Sequence, residues 1–158
     1  MPISIDMKQN HPLTTTGKVR VQDCVQAAGF NMSQWKYPDR YEWAQAEPPS
    51  NLYLFNLWDT EISVEDGAIM CCPNWRKVHD EAKALGRWKQ QYKADRTDRF
   101  ACAAHHRGSP VRVVVVNGYE KPNGHRVVTN RNLDPVAWRV IQYSMSSGQV
   151  RIRRESVH

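Results

Sequence analysis

The apolar positions of this chain repeat at two different periods, and the change of period divides it into strands and helices. The densest apolar run, Leu52 to Asp59, alternates Leu52, Leu54, Asn56 and Trp58 with Tyr53, Phe55, Leu57 and Asp59. Both sets are mostly apolar, so the run predicts a central strand covered on both faces. Upstream, Arg40 to Ala44 reads as its hairpin partner, because Tyr41 and Trp43 share a face at period two and Ala46 to Asn51 is turn chemistry. Val21, Cys24, Val25 and Ala28 recur at helical spacing between a cap at Thr15 or Thr16 and a stop at Gly29. Between that helix and the hairpin, Phe30 to Pro38 reads as irregular or as a single turn carrying Trp35 and Tyr37.

Beyond the hairpin, an acidic, turn-rich stretch at 59–67 leads into a short strand, Ala68 to Cys72, that ends at Pro73. Trp75, Val78, His79, Ala82 and Leu85 then share a helical face between Asn74 as cap and Gly86 as stop. A longer helix follows from about Arg87 to His106. Its Trp88, Tyr92, Phe100, Ala103 and Ala104 lie near one side, and Lys89, Lys93, Arg96 and Arg99 carry charge along its exposed surface. The remainder is β: a near-continuous valine run, Val111 to Val116, a short strand from His125 to Thr129, and a hairpin of Trp138 to Tyr143 with Gln149 to Arg153. The order predicts an α+β fold, two or three helices packed on a mostly antiparallel sheet that could be barrel-like. Residues 1–13 are polar, contain Pro2 and Pro12 and read as a flexible arm, which leaves 14–158 as one domain.

Composition sharpens this picture in three ways. At 158 residues and 41% hydrophobic content the chain suits one well-buried domain. No apolar run approaches the ~18 residues of a membrane span and the N-terminus lacks the order of a secretory signal, so a soluble, cytoplasmic protein is expected. Cys24, Cys71, Cys72 and Cys102 show neither C-x-x-C spacing nor a disulfide pattern and are expected as buried or half-buried thiols. Residues 1–86 carry 8 Lys+Arg against 11 Asp+Glu, whereas residues 87–158 carry 14 against 5, which together give the net charge of +6. A basic half of this kind is the electrostatic footprint of a nucleic-acid binder, although an acidic protein partner or an anionic surface would also meet it.

The candidate chemistry divides into rings and cations. Trp35, Tyr41, Trp43, Asn56, Trp58 and Asp59 are candidates for a flat-walled pocket with a few polar groups. The same aromatics could instead be ordinary core. Lys89, Lys93, Arg96, Arg99, Arg107 and Arg112 are candidates for phosphate contacts, or for a merely solvated helix face. His105, His106 and Arg107, with Asn117 and His125 downstream, imitate the order of an HNH nuclease. The imitation lacks its structural context, because His125 follows Pro122 to Gly124 and enters a strand instead of a helix. A small metal-dependent nuclease or nucleotide-processing enzyme using those residues therefore stands as the alternative, and a module for an acidic protein partner as a second. No P-loop, Rossmann fingerprint, G-x-S-x-G or H-E-x-x-H occurs, and neither a cofactor nor a metal is expected.

Tyr41 to Trp43, Asn56 to Trp58, the valine strand with Asn117 and Gly118, and Arg131 to Trp138 followed by a Ser-Gly hairpin together resemble a known arrangement. It is the N-terminal domain that precedes an HNH nuclease in McrA-like, modification-dependent restriction proteins, and the likeness spans roughly residues 18 to 155. The resemblance implies recognition of modified, double-stranded DNA, with Tyr41, Trp43, Asn56 and Trp58 as the matching positions. This chain reaches His158 without a nuclease domain, so the expectation is a recognition module that could work with a separate nuclease partner. Such a reader would extrude a base, clamp it between rings and hydrogen-bond its edge, a few kcal/mol of unstacking being offset by stacking and phosphate contacts.

Overall fold

The computed structural model describes residues 13, 19–47 and 51–156. Apart from Leu13, which packs against the core, the expected N-terminal arm lies outside the described residues, as do Thr15 and Thr16. Among the described residues are three α-helices, α1 (Val21–Ala27), α2 (Trp75–Ala84) and α3 (Trp88–Arg107). Eight strands accompany them: β1 (Ala44–Glu47), β2 (Leu52–Trp58), β3 (Ile62–Glu65), β4 (Ala68–Cys71), β5 (Pro110–Glu120), β6 (Arg126–Leu133), β7 (Trp138–Tyr143) and β8 (Val150–Arg154). The fold is α+β. The strands run in the order β1-β2-β5-β7-β8-β4-β3, with β6 also paired to β5, and the path ends on β1 and β3, so the sheet is open and not a barrel. Every pairing is antiparallel except that of β2 with β5, which sets Leu54 beside Arg112 and Trp58 beside Val116.

The alternation read in β2 and β5 has the predicted consequence. Tyr53, Phe55 and Leu57 join Val111, Val113 and Val115 in one core, with Trp75 of α2 and Ala101 and Ala104 of α3. Leu54, Val114 and Val116 join Cys24, Val25 and Ala28 in a second core at α1. These are the two faces of one sheet, since successive strand residues point to opposite sides. Phe55 is fully buried and stacks on Trp75 with ring centroids 5.5 Å apart. Each large apolar side chain so buried contributes about 1.5–3 kcal/mol relative to exposure.

Several boundaries differ from the reading of the sequence. The hairpin partner of β2 is Ala44–Glu47, while Tyr37–Tyr41 forms a 3-10 turn. The acidic stretch hides a strand: β3 and β4 meet across Asp66 and Gly67, both at positive φ, as the tight turn of a two-residue hairpin requires. Its strand signal is weak because only Ile62 of β3 is buried. Asn117 and Gly118 do not end the valine strand; they form a bulge within it, where a Cβ on Gly118 would lie 1.7 Å from the Val127 carbonyl oxygen. Of the face predicted for α2, only Trp75 and Ala82 are buried. Cys24 and Cys71 are buried free thiols and Cys102 is half-buried, whereas Cys72 is exposed.

The corner between β6 and β7 is fixed by a buried carboxylate. Asp134 accepts from the Trp138 ring N–H at 2.7 Å, from Arg154 at 2.7 and 3.0 Å, and from the Val136 N–H at 3.0 Å. Burial pushes this carboxyl up, but the Arg154 guanidinium, the Val136 N–H and the Trp138 N–H together outweigh it and hold Asp134 below its ordinary value. The Arg131 to Trp138 stretch is thereby explained in structural terms, the aspartate serving the tryptophan four residues on.

Candidate nucleic-acid interface

The segment Asp39 to Ala44, at the edge of the sheet, is gripped from both sides. From the α1 side, the Gln45 side-chain amide donates to the Asp39 carbonyl at 2.7 Å and the Asn56 amide donates to the Glu42 carbonyl at 3.2 Å. From the other side, Arg96 of α3 donates to the Glu42 carboxylate at 3.1 Å and to the Ala44 carbonyl at 3.0 Å. Two residues expected to face nucleic acid, Asn56 and Arg96, thus hold backbone. What they position is Arg40 and Tyr41. The Arg40 guanidinium lies 4.1 Å from the centre of the Tyr41 ring and donates to its hydroxyl.

Tyr41 stands between two surfaces. On the α1 side it lines a hollow of about 310 Å³ together with Arg20, Val21, Gln22, Arg40 and Arg131. Arg20 is oriented by Asp23, at 3.0 and 3.3 Å, and Arg131 donates to the Val19 carbonyl at 3.2 Å. A recess that shares Val21 and Arg131 with this hollow is lined also by Gln45 and Asn56 but has a volume of only about 10 Å³. That is room for roughly one water and not for a base.

On the other side Tyr41 meets α3, with Lys93 Nζ 5.8 Å from its ring centre. The outer face of α3 carries Trp88 at 69% and Tyr92 at 59% exposure, one turn apart, and Lys89 Nζ lies 5.6 Å from the Trp88 ring. The sequence placed Trp88 and Tyr92 on the core side with Phe100, Ala103 and Ala104. In the fold, the buried stripe of α3 is Ala94, Thr97, Ala101 and Ala104, and the two rings stand in solvent. Small residues on the buried stripe let the helix lie close to the sheet, so the rings have no interior to enter.

The remaining candidates disperse. Trp43 packs against the core under α2 and α3, while Trp35 and Trp58 pack against the core at α1, so these rings do not form one clamp. Arg126 lies over Trp58 at 5.0 Å and pairs with Glu61 at 2.7 Å, and Asp59 opens the 3-10 turn Asp59–Glu61. Among the six cations, Arg99 is exposed and paired with Asp95 at 3.0 Å, Arg107 donates to Asn51, and Arg112 donates to the Asp134 carbonyl at 3.1 Å. Arg112 belongs to the α1 face of the sheet, since it alternates with the buried Val111 and Val113 of the other core. The acidic first half answers part of the basic second half directly, through Arg96 with Glu42, Arg126 with Glu61 and Arg151 with Glu65. His105 and His106 end α3, half-buried and exposed in turn, where cations complement the helix dipole. No group of three or more His, Cys, Asp or Glu side chains is placed to share a metal ion among the described residues.

Sequence reasoning missed Arg20, Arg40 and Arg131, which line the hollow, and Gln45, which lines the adjoining recess. Arg20 and Arg40 lie in the acidic half, and nothing in linear spacing joins them to Arg131. No helix among the described residues is long and apolar enough to cross a membrane. The α+β fold with an aromatic and cationic edge defines a class of architecture only, for no protein family, curated protein or solved structure matches this chain.

Proposed function

We propose that this chain is a DNA-binding module that lays a strand along the outer face of α3. The observation that carries the reading is the pairing of exposed rings with cations on one surface: Trp88 with Lys89, Tyr92 beside Lys93, and Tyr41 under Lys93. Bases stack on such rings for about 1–3 kcal/mol each, and the lysines together with Arg99 neutralise phosphates. The clamp of a single modified base between Trp43 and Trp58 is not part of the reading, because those rings belong to different cores. A second reading is a face for an acidic protein, which the same lysines and Arg99 would also meet.

The test is fluorescence anisotropy with labelled single-stranded and duplex DNA at two salt concentrations. Binding is expected to weaken steeply with salt, and the double variant Trp88→Ala, Tyr92→Ala is expected to lose at least tenfold affinity for single strands with an unchanged melting temperature. Indifference to all DNA at low salt would favour the protein partner, and cleavage of the probe in the presence of divalent metal would favour the enzyme alternative at His105, His106 and Arg107.

A further inference from the structure

We propose that the hollow beside Tyr41 is a binding site for a phosphate monoester, the charged end of a nucleotide. Three arginines line it from three separate parts of the chain, Arg20 before α1, Arg40 in the 3-10 turn and Arg131 in β6. Each is oriented by its own neighbour: Arg20 by the Asp23 carboxylate, Arg40 by the ring and hydroxyl of Tyr41, and Arg131 by the Val19 carbonyl. Planar guanidiniums held in place recognise phosphate oxygens through paired hydrogen bonds, and less conformational freedom is lost when the ligand arrives.

Size and charge narrow the ligand. About 310 Å³ sits at the small end of small-molecule sites and fits one nucleotide, not a strand passing through. An ester phosphate with a free end carries roughly 1.5–2 negative charges at neutral pH, against one for an internal diester, and so better answers three arginines of which one is already paired with Asp23. The adjoining recess, at about 10 Å³, does not admit a base, so no base-reading pocket accompanies the hollow, whose one lining ring is that of Tyr41. Recognition there is of the phosphate and is indifferent to the base.

The source is either the phosphorylated end of a strand, which Tyr41 would share with the α3 surface and which rests on the proposed function, or a free nucleotide, which does not. The experiment compares one oligonucleotide carrying a 5′-phosphate, a 3′-phosphate or hydroxyls at both ends, measured by anisotropy. Nucleoside monophosphate and inorganic phosphate are titrated separately and followed by phosphorus NMR. The wild type is set against Arg131→Gln and Arg20→Gln, with melting temperatures as the folding control. A phosphorylated strand, or the monophosphate, is expected to bind at least tenfold more tightly than its hydroxyl counterpart. Either substitution is expected to erase that preference while leaving affinity for the hydroxyl-ended strand within twofold. Monophosphate binding without strand binding would sustain the hollow and overturn the α3 reading. Equal affinity for phosphate and hydroxyl ends together with no monophosphate binding, or a preference that survives both substitutions, would overturn the hollow and leave the α3 reading standing.

Discussion

The two faces of the sheet are covered unequally. On one lie α2 and α3, 10 and 20 residues long; on the other lies α1, with 7. Under α2 and α3 the core runs from Phe55 through Trp75 to Trp138, and the candidate chemistry is pushed to the outside of α3 as exposed rings. At α1 the cover is short, and a hollow remains between the helix, the 3-10 turn and β6. The difference teaches that one sheet can offer two kinds of surface, a convex one where a helix covers it fully and a concave one where cover runs out. The segment Asp39 to Ala44, tied to both sides by Gln45, Asn56 and Arg96, joins them.

The comparison can be broken most severely at Asp134. Asp134→Asn leaves the Arg154 guanidinium without its carboxylate in a largely buried site, and a loss of about 3–5 kcal/mol in urea unfolding is expected. The same group sets a pH dependence. Its pKa is depressed in the folded protein, so its stabilisation is complete above the unfolded carboxylate value, about 3.9, and is lost as pH falls below that through the folded value. Urea midpoints measured downward from neutral pH should drop more steeply below about pH 4 for the wild type than for Asp134→Asn; parallel curves would remove the carboxylate from this role.

The inequality of the two cores predicts a graded response. Phe55→Ala, on the well-covered face, should cost about 3–5 kcal/mol, whereas Val25→Ala, at α1, should cost about 2. Equal losses would mean that the α1 side is as tightly built as the other. A smaller effect is expected of Arg96→Ala, about 1–3 kcal/mol in stability, because Glu42 and the Ala44 carbonyl lose a charged partner. Since that residue positions Tyr41, its DNA affinity should fall as well. Smallest in stability is Lys89→Ala, within about 0.5 kcal/mol, while DNA binding should weaken uniformly across sequences and the salt slope should fall by about 1.

Much of the fold was legible because period and burial agree. Tyr53, Phe55 and Leu57 against Leu54 and Trp58 predicted a strand buried on both faces, and Asn74 caps α2 as its side chain suggested, accepting from Lys77 N at 3.0 Å. The site was less legible, for two physical reasons. Residues of one chemistry converge only in three dimensions, as Arg20, Arg40 and Arg131 do across more than a hundred positions. And a residue type does not announce its partner: Asn56 and Arg96 look like ligand-binding groups, yet each meets a backbone carbonyl. Trp88 and Tyr92 erred in the opposite sense, since apolar rings at helical spacing predict a core stripe that alanines in fact supply.

Amide chemical-shift mapping of the nitrogen-15-labelled chain, titrated with a short single-stranded DNA at low salt, tests the DNA-binding surface most directly. The largest changes are expected at residues 88–99 of α3 and at Arg40 and Tyr41, fading as salt is raised. Changes confined to β3 and β4, or none at the lowest salt, would contradict it.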